Sequence, residues 1–242
     1  MDLNGKLAFL QRSIRDMGSL AIAFSGGVDS TFLLKVAHEI LGDRAVAITA
    51  TSSTYPEREL KEAIAFACAI GAEHIIIRSE ELDIAGFAEN PQNRCYYCKK
   101  ELFTKVVELA RERGIAHVAD GSNADDTNDF RPGMVAMREL EAVSPLMDAG
   151  LTKDDIRALS KEMGLPTWDK PSFACLSSRV PYGERITPEK LDMIDRAESL
   201  LLAIGFRQVR VRHHGNIARI EVGAAEREKL FSTDIMDRID RE

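Results

Sequence analysis

The stretch Leu20-Ala-Ile-Ala-Phe24, followed at once by Ser25-Gly26-Gly27-Val28-Asp29-Ser30, decides the fold. Its apolar run reads as a buried strand, and Phe32, Leu33, Val36 and Ile40 mark a helix over 31–40 directly behind it. Paired glycines let backbone N–H groups approach an anion, the Ser25 and Ser30 hydroxyls add donors, and a helix N-terminus favours negative charge. Neither the spacing nor the lysine of Gly-x-x-x-x-Gly-Lys-Ser/Thr is present, which argues against simple γ-phosphoryl transfer and for a grip on pyrophosphate. Asp29 is anomalous in an anion site, and a Mg2+ ion on the phosphates reconciles it.

Working outward, apolar runs at 45–50, 74–77 and 116–119 read as further strands, and 143–146 is short and apolar. Helical periodicity marks 3–17, 57–70, 98–113 and 153–163. This alternation predicts an α/β fold with a mainly parallel sheet and functional loops at the carboxyl ends of its strands. Residues 25–30, 51–55 and 120–133 fall there. Beyond Trp168, expected as a packing residue at a domain boundary, a polar loop (169–187) leads to a helix at 188–203. Strands at 208–211 and 217–222 follow, joined by the turn His213-His214-Gly215-Asn216, and then a short helix. The organisation predicted is a nucleotide domain over 1–170 and a small α+β domain over 171–242, packed on the first or on another subunit.

With 242 residues, 45% of them apolar, the chain can build a sizeable core. It has no signal-peptide stretch and no run of 18 apolar residues, so a cytoplasmic protein with no membrane contact is expected. A net charge of −7, from 32 basic and 39 acidic residues, disfavours non-specific nucleic-acid binding. Four cysteines in a chain of this size do not make a disulfide scaffold.

Cys95-Tyr96-Tyr97-Cys98 places two thiols on one face if the segment is helical, with Arg94, Lys99 and Lys100 favouring thiolates. Alone, this spacing fits zinc, an iron–sulfur centre, a redox disulfide or no role. Cys175, in the polar segment 171–179, adds a third sulfur, and three without a fourth leave an open position on a metal centre. A redox pair, separate thiols and incidental cysteines stay open. Cys68 shares a helical stripe with Leu60 and Ile64 and is expected in the core. Arg210 and Arg212 alternate with Val209 and Val211, so two guanidinium groups share a strand face, suited to a phosphate or carboxylate or simply solvated. Ser177-Ser178-Arg179 offers donors to a phosphate or acyl group, and the acidic loop 120–133 either lines the site or is solvated.

Together these stretches resemble the PP-loop ATP pyrophosphatases, of the adenine nucleotide alpha hydrolase-like fold, through Ala23-Phe-Ser-Gly-Gly-Val-Asp-Ser30. Within that superfamily the chain is similar to the LarE sulfur transferases of nickel-pincer nucleotide synthesis, which serve lactate racemase maturation. The narrower match rests on Cys/Tyr/Tyr/Cys/Lys at 95–99, Asp120-Gly121, Asn128-Asp129-Phe-Arg-Pro-Gly133 and Ser177-Ser-Arg-Val-Pro-Tyr-Gly183. It extends to Val209-Arg-Val-Arg212 and Asn216-Ile-Ala-Arg-Ile-Glu221. The resemblance implies an ATP-dependent enzyme that adenylates a carboxylate of a pyridinium mononucleotide, releases pyrophosphate and AMP, and installs sulfur.

Two kinds of such enzyme exist. In the sacrificial kind one cysteine loses its sulfur and becomes dehydroalanine; there a tryptophan and an alanine stand where this chain has Cys95 and Cys98, and the sacrificed cysteine matches Ala174. The chain departs at all three points and resembles the kind whose three cysteines hold a [4Fe-4S] cluster. That implies Cys95, Cys98 and Cys175 as metal ligands, sulfide or a sulfur donor protein as the source, and a homo-oligomer. Carried over by motif, Ala23, Ser25, Gly26, Gly27, Asp29 and Ser30 form the ATP and Mg2+ set. Lys99, Ser178, Arg179, Arg210 and Arg212 line the substrate site, and Cys175, Lys99, Arg179 and Asp29 are the catalytic set. Family members usually continue past the helix near 225–240, whereas this chain stops at Glu242. The rivals are sacrifice of Cys175, a cluster-dependent tRNA thiolase, an amidotransferase-like synthetase that leaves the cysteines idle, and a non-catalytic nucleotide-binding module.

Overall fold

The computed structural model describes residues 1–128 and 132–241; Asp129, Phe130 and Arg131 of the acidic loop lie outside the described residues. The chain runs α1 (Leu3–Met17), β1 (Leu20–Ala23), α2 (Val28–Leu41), β2 (Ala45–Thr51), α3 (Glu57–Ile70), β3 (Glu73–Arg78) and α4 (Arg94–Glu112). It continues through β4 (His117–Ala119), α5 (Pro132–Glu139), α6 (Pro145–Asp148), α7 (Lys153–Glu162) and α8 (Pro188–Ala203). The last elements are β5 (Val209–His214), β6 (Ile217–Val222), α9 (Arg227–Leu230) and α10 (Thr233–Arg241).

Four parallel strands lie in the order β3-β2-β1-β4, with Ala119 and Val143 forming one further parallel bridge. The period-two alternation of a strand divides the core into two layers. Leu20, Ile22, Ala45, Ala47 and Ala119 face one side, where Leu10, Ile14, Phe32, Leu33 and Ile156 cover them. Ala21, Val46, Ile48 and Val118 face the other, against Phe103 and Val106 of α4. Each fully buried Leu, Ile or Phe contributes about 1.5–3 kcal/mol, so these layers fix β1 and hence the loop that follows it. A second, antiparallel sheet pairs β5 with β6, and its Val209 and Val211 pack on Leu201 of α8.

The observed elements differ from the expected ones in instructive places. α2 begins at Val28 because Gly27 takes the extended N-cap conformation, so Asp29 and Ser30 sit in the first helical turn. α4 begins at Arg94, four residues before its expected start, which puts both Cys95 and Cys98 on it. The His213-His214 pair belongs to β5, and only Gly215-Asn216 turns, with Gly215 at φ +61°. Cys68 is exposed, against the expectation of core burial. The buried face of α3 carries Ala63 and Ala67, whose small side chains let the helix close on the loop at Gly26.

Candidate active site

Gly26 adopts φ +64°, and a side chain there would meet Ala63 Cα and Cβ at 3.0 Å. Only glycine suits both the conformation and the space. The Ser25 and Ser30 hydroxyls lie 3.2 Å apart, and Ser30 Oγ also bonds the Gly27 carbonyl at 3.3 Å. Gly121, at the end of β4, presses on this turn, since a Cβ on it would lie 3.2 Å from Ser30 N. Strand, glycines, hydroxyls and helix N-terminus therefore form one cradle, as the sequence suggested. Ala23 closes β1 at its entrance.

The loop carries no lysine, yet two lysines reach it from elsewhere. Lys153 Nζ pairs with the Asp29 carboxylate, which also accepts from Asn123 Nδ2 at 3.2 Å. Lys170 Nζ donates to the Gly26 carbonyl at 3.2 Å while paired with Glu59 and Glu62. Sequence reading missed both. A signal for Lys153 existed: Thr152 and Asp155 form a capping box, which puts a cation in the first turn of α7, where the helix dipole opposes it.

Cys95 and Cys98 project from the first turn of α4, Cys95 exposed and Cys98 half-buried beside Phe87, Leu176 and Val180. Cys175 precedes the short helical turn Leu176–Arg179 and is also half-buried. The three thiols share one electrostatic neighbourhood. Burial pushes Cys98 well up, and the Glu81 carboxyl, Cys175 and Cys95 add to that while Lys99 opposes it. Burial raises Cys175 as well, against the pull of Arg94. Glu81, unforeseen from sequence, is buried, accepts from Cys98 Sγ at 3.7 Å and from Thr54 Oγ1 at 3.2 Å, and is itself pushed up by burial.

Among the described residues, no three His, Cys, Asp or Glu side chains are assembled around one point to hold a metal ion. A single zinc ion would need its sulfurs about 2.3 Å from such a point. In an iron–sulfur cube each thiolate takes a different iron, so that group does not require the three sulfurs to meet at one point.

Of the remaining predicted residues, Arg179 and Arg212 bond the cysteine loop, and the others are found in differing states. Arg179, 2% exposed, is committed: Nε and Nη2 bond the Glu198 carboxylate at 2.7 and 3.2 Å, and Nη1 holds the Ala174 and Cys175 carbonyls at 2.5 and 3.2 Å. Nη1 also donates to Ser178 Oγ at 2.8 Å. Glu198, 1% exposed, further accepts from Arg58 Nη2 at 3.2 Å and Val211 N at 3.1 Å, tying α3, the cysteine loop and β5 together. Arg212 bonds Glu221 at 2.7 Å and the Ser178 carbonyl at 3.1 Å. Arg210 lies on the same strand face with no hydrogen-bond or ion-pair partner among the described residues. Lys99 lies over the Phe103 ring, its chain packed on Gly133. Trp168 is 37% exposed under Lys161 rather than sealed in an interface.

Residues 54 and 55, in the loop after β2, stand between this cysteine loop and the phosphate-type loop and touch both. Leu176 N donates to the Thr54 carbonyl at 3.0 Å. Tyr55 donates its hydroxyl to the Ser25 carbonyl at 3.0 Å and sets its ring edge-on to Phe173, 6.5 Å between centroids. Phe173 in turn lies beneath the Arg179 guanidinium.

Comparison with known proteins gives the family. The NAD synthase family profile matches residues 3–126. An uncharacterised protein of Synechocystis is 46% identical over 91% of this chain and 82% of its own length. The pyridinium-3,5-bisthiocarboxylic acid mononucleotide synthase of Lactiplantibacillus plantarum is 38% identical over 91% of this chain and 80% of its own length. An uncharacterised protein of Methanocaldococcus jannaschii is 30% identical over 84% and 77%. No helix among the described residues is long and apolar enough to cross a membrane.

Proposed function

We propose, from the premise that this chain belongs to the PP-loop family of NAD synthase and, within it, to the LarE-type pyridinium-3,5-bisthiocarboxylic acid mononucleotide synthases, that it is a sulfur transferase of nickel-pincer nucleotide synthesis. It is an ATP-using enzyme. In this reading a carboxylate of pyridinium-3,5-biscarboxylate mononucleotide attacks the α-phosphorus of ATP. The poor acyl leaving group thereby becomes AMP, and sulfur then displaces it. The observation that supports the reading is that Thr54 and Tyr55 tie the cysteine loop to residues 25–30, so that activation and sulfur delivery would share one cleft edge.

The cradle's N–H groups and hydroxyls, with Lys153, take the pyrophosphate. Asp29 would hold Mg2+, whose charge would let a carboxylate sit among phosphates. The free guanidinium of Arg210, with Arg212 and Ser178, takes the substrate's own phosphate, and Lys99 its carboxylate, so remote binding energy positions the reacting group. Arg179 acts through the carbonyls of Ala174 and Cys175 and sets where Cys175 lies. Cys95, Cys98 and Cys175 would hold a [4Fe-4S] cluster, which when bound supplies an iron free of protein ligands for inorganic sulfide. Residues 1–170 are the nucleotide domain and 171–242 the substrate-side domain, and exposed Ile217, Phe231 and Met236 near the C-terminus suit a homo-oligomer. The expected setting is the cytoplasm, with sulfide or a donor protein as the sulfur source.

The test is turnover of anaerobically purified protein, read for pyrophosphate, iron, acid-labile sulfide and the mass of the polypeptide. Substrate-dependent pyrophosphate with iron, labile sulfide and unchanged protein mass is expected. Conversion of Cys175 to dehydroalanine would establish the sacrificial route, zinc without labile sulfide would remove the cluster, and ATP binding without AMP would remove the enzyme reading.

A further inference from the structure

Just past β1, three successive backbone carbonyls are each held by a side chain from elsewhere in the chain. Thr49, buried on β2, donates its hydroxyl to the Phe24 carbonyl at 2.6 Å. Tyr55 donates to the Ser25 carbonyl at 3.0 Å, and Lys170 Nζ to the Gly26 carbonyl at 3.2 Å. In a planar trans peptide the carbonyl and the N–H that follows it point in opposite directions. Each of these bonds therefore also sets the direction of the next N–H, on Ser25, Gly26 and Gly27. Two of those N–H groups turn to the hydroxyl pair of the cradle: Ser25 N lies 3.3 Å from Ser30 Oγ, and Gly27 N 3.4 Å from Ser25 Oγ. Gly26 is buried, and its N–H has no hydrogen-bond partner among the described residues, which leaves it for a ligand.

The side chains that hold the carbonyls are themselves fixed. Thr49 has one hydroxyl hydrogen and gives it to Phe24, so His74 Nε2, 2.7 Å from Thr49 Oγ1, is the donor in that contact. Lys170 has three N–H donors, and the Gly26 carbonyl, Glu59 at 2.9 Å and Glu62 at 2.6 Å take all of them. Two carboxylates outweigh its single charge, so Lys170 is not a free cation for phosphate. What it gives the loop is the bond to the Gly26 carbonyl. Lys170 also stands on the segment that leads through Phe173 to Cys175, and Phe173 meets the Tyr55 ring.

We propose that Thr49 and Lys170 are positioning residues for pyrophosphate: with Tyr55 they lock three successive peptides so that the N–H groups of Ser25, Gly26 and Gly27 are preset for the anion. The proposal rests on the nucleotide reading of residues 25–30 and deepens it. Neither side chain touches the phosphates. Both act through the backbone, and a preset donor costs no reorganisation when the charge arrives.

Calorimetric titration with inorganic pyrophosphate and Mg2+ tests it, because it reads the cradle without turnover. Wild type is expected to bind pyrophosphate. Thr49→Val removes one carbonyl bond without changing charge and should weaken binding about fivefold. For Lys170, bond and charge are separated by combining Lys170→Met with Glu59→Gln and Glu62→Gln, which leaves the cluster less negative than the native one. Attraction by charge alone predicts that this triple variant binds at least as tightly as wild type. Loss of peptide positioning predicts binding at least about tenfold weaker, the worth of a hydrogen bond from a charged donor. Lys170→Arg keeps the donor and should bind more tightly than the triple variant. Thermal melting of each variant separates misfolding from loss of affinity, and Thr49→Val decides the matter if the triple variant does not fold. Wild-type affinity in the folded variants overturns the proposal and leaves the nucleotide reading intact, whereas no pyrophosphate binding by wild type removes both.

Discussion

Residues 25–30 and the cysteine site are built in different ways. The first is one contiguous segment whose shape is set by backbone: a glycine at positive φ, a helix that begins where the loop ends, and hydroxyls that bond their own turn. The second is assembled from two distant segments and held by buried charge, with Arg179, Glu198 and Arg58 as its frame. A backbone device tolerates no change of local conformation yet needs few partners. A charge-held device tolerates local change but fails when one partner is removed.

That contrast is open to direct attack. Arg179→Met should have the largest effect, about 3–5 kcal/mol of unfolding free energy in denaturant titration, because it strips one partner from a buried ion pair and frees two loop carbonyls. A loss below about 1 kcal/mol would mean that the frame behaves as a surface pair. Gly26→Ala should come next. It should cut pyrophosphate release by about 100-fold, because the methyl group strains a φ of +64° and runs into Ala63 backbone; near-normal rates would show that the cradle is set by something other than that close approach.

Tyr55→Phe removes only the bond to the Ser25 carbonyl and keeps the ring against Phe173. Its cost should be about 1 kcal/mol, seen as a similar slowing of adenylation and of sulfur transfer. Slowing of one step alone would separate the two loops. Smallest is Glu81→Gln. Burial raises the Glu81 pKa above its unfolded value of about 4.3. As pH rises through that window the unfolded chain ionises first, and stability falls. The amide keeps an acceptor for Thr54 and Cys98, so the variant should melt higher than wild type near neutral pH and alike below pH ~4. A wild-type advantage at neutral pH would show that the ionised form is the stabilised one.

The same contrast explains what could be read from the sequence. The parallel sheet, β1 and the cradle follow from short-range pattern, because strand period, paired glycines and helix stripe are all local. The exposure of Cys68 was not legible, since Ala63 and Ala67 are as apolar as the Leu60 and Ile64 stripe, and only the approach to Gly26 chooses between the two faces. Lys170, Glu81 and Glu198 were missed for a common reason, whereas Lys153 at least had its capping box. Each acts across a gap in sequence that no periodicity spans, and a lone charged residue ordinarily reads as solvated surface. Arg179 lies in the loop beside Cys175, but its engagement by Glu198 depends on α8, and sequence spacing carries no sign of that.

The central claim is that one loop activates a carboxylate and the neighbouring cysteines supply sulfur to it. Single-turnover analysis of Cys175→Ala, following pyrophosphate and thiocarboxylate together with ATP and pyridinium-3,5-biscarboxylate mononucleotide, tests it most directly. The account predicts pyrophosphate release within about tenfold of wild type and no thiocarboxylate. Thiocarboxylate formed at the wild-type level, or complete loss of pyrophosphate release from a folded variant, would contradict it.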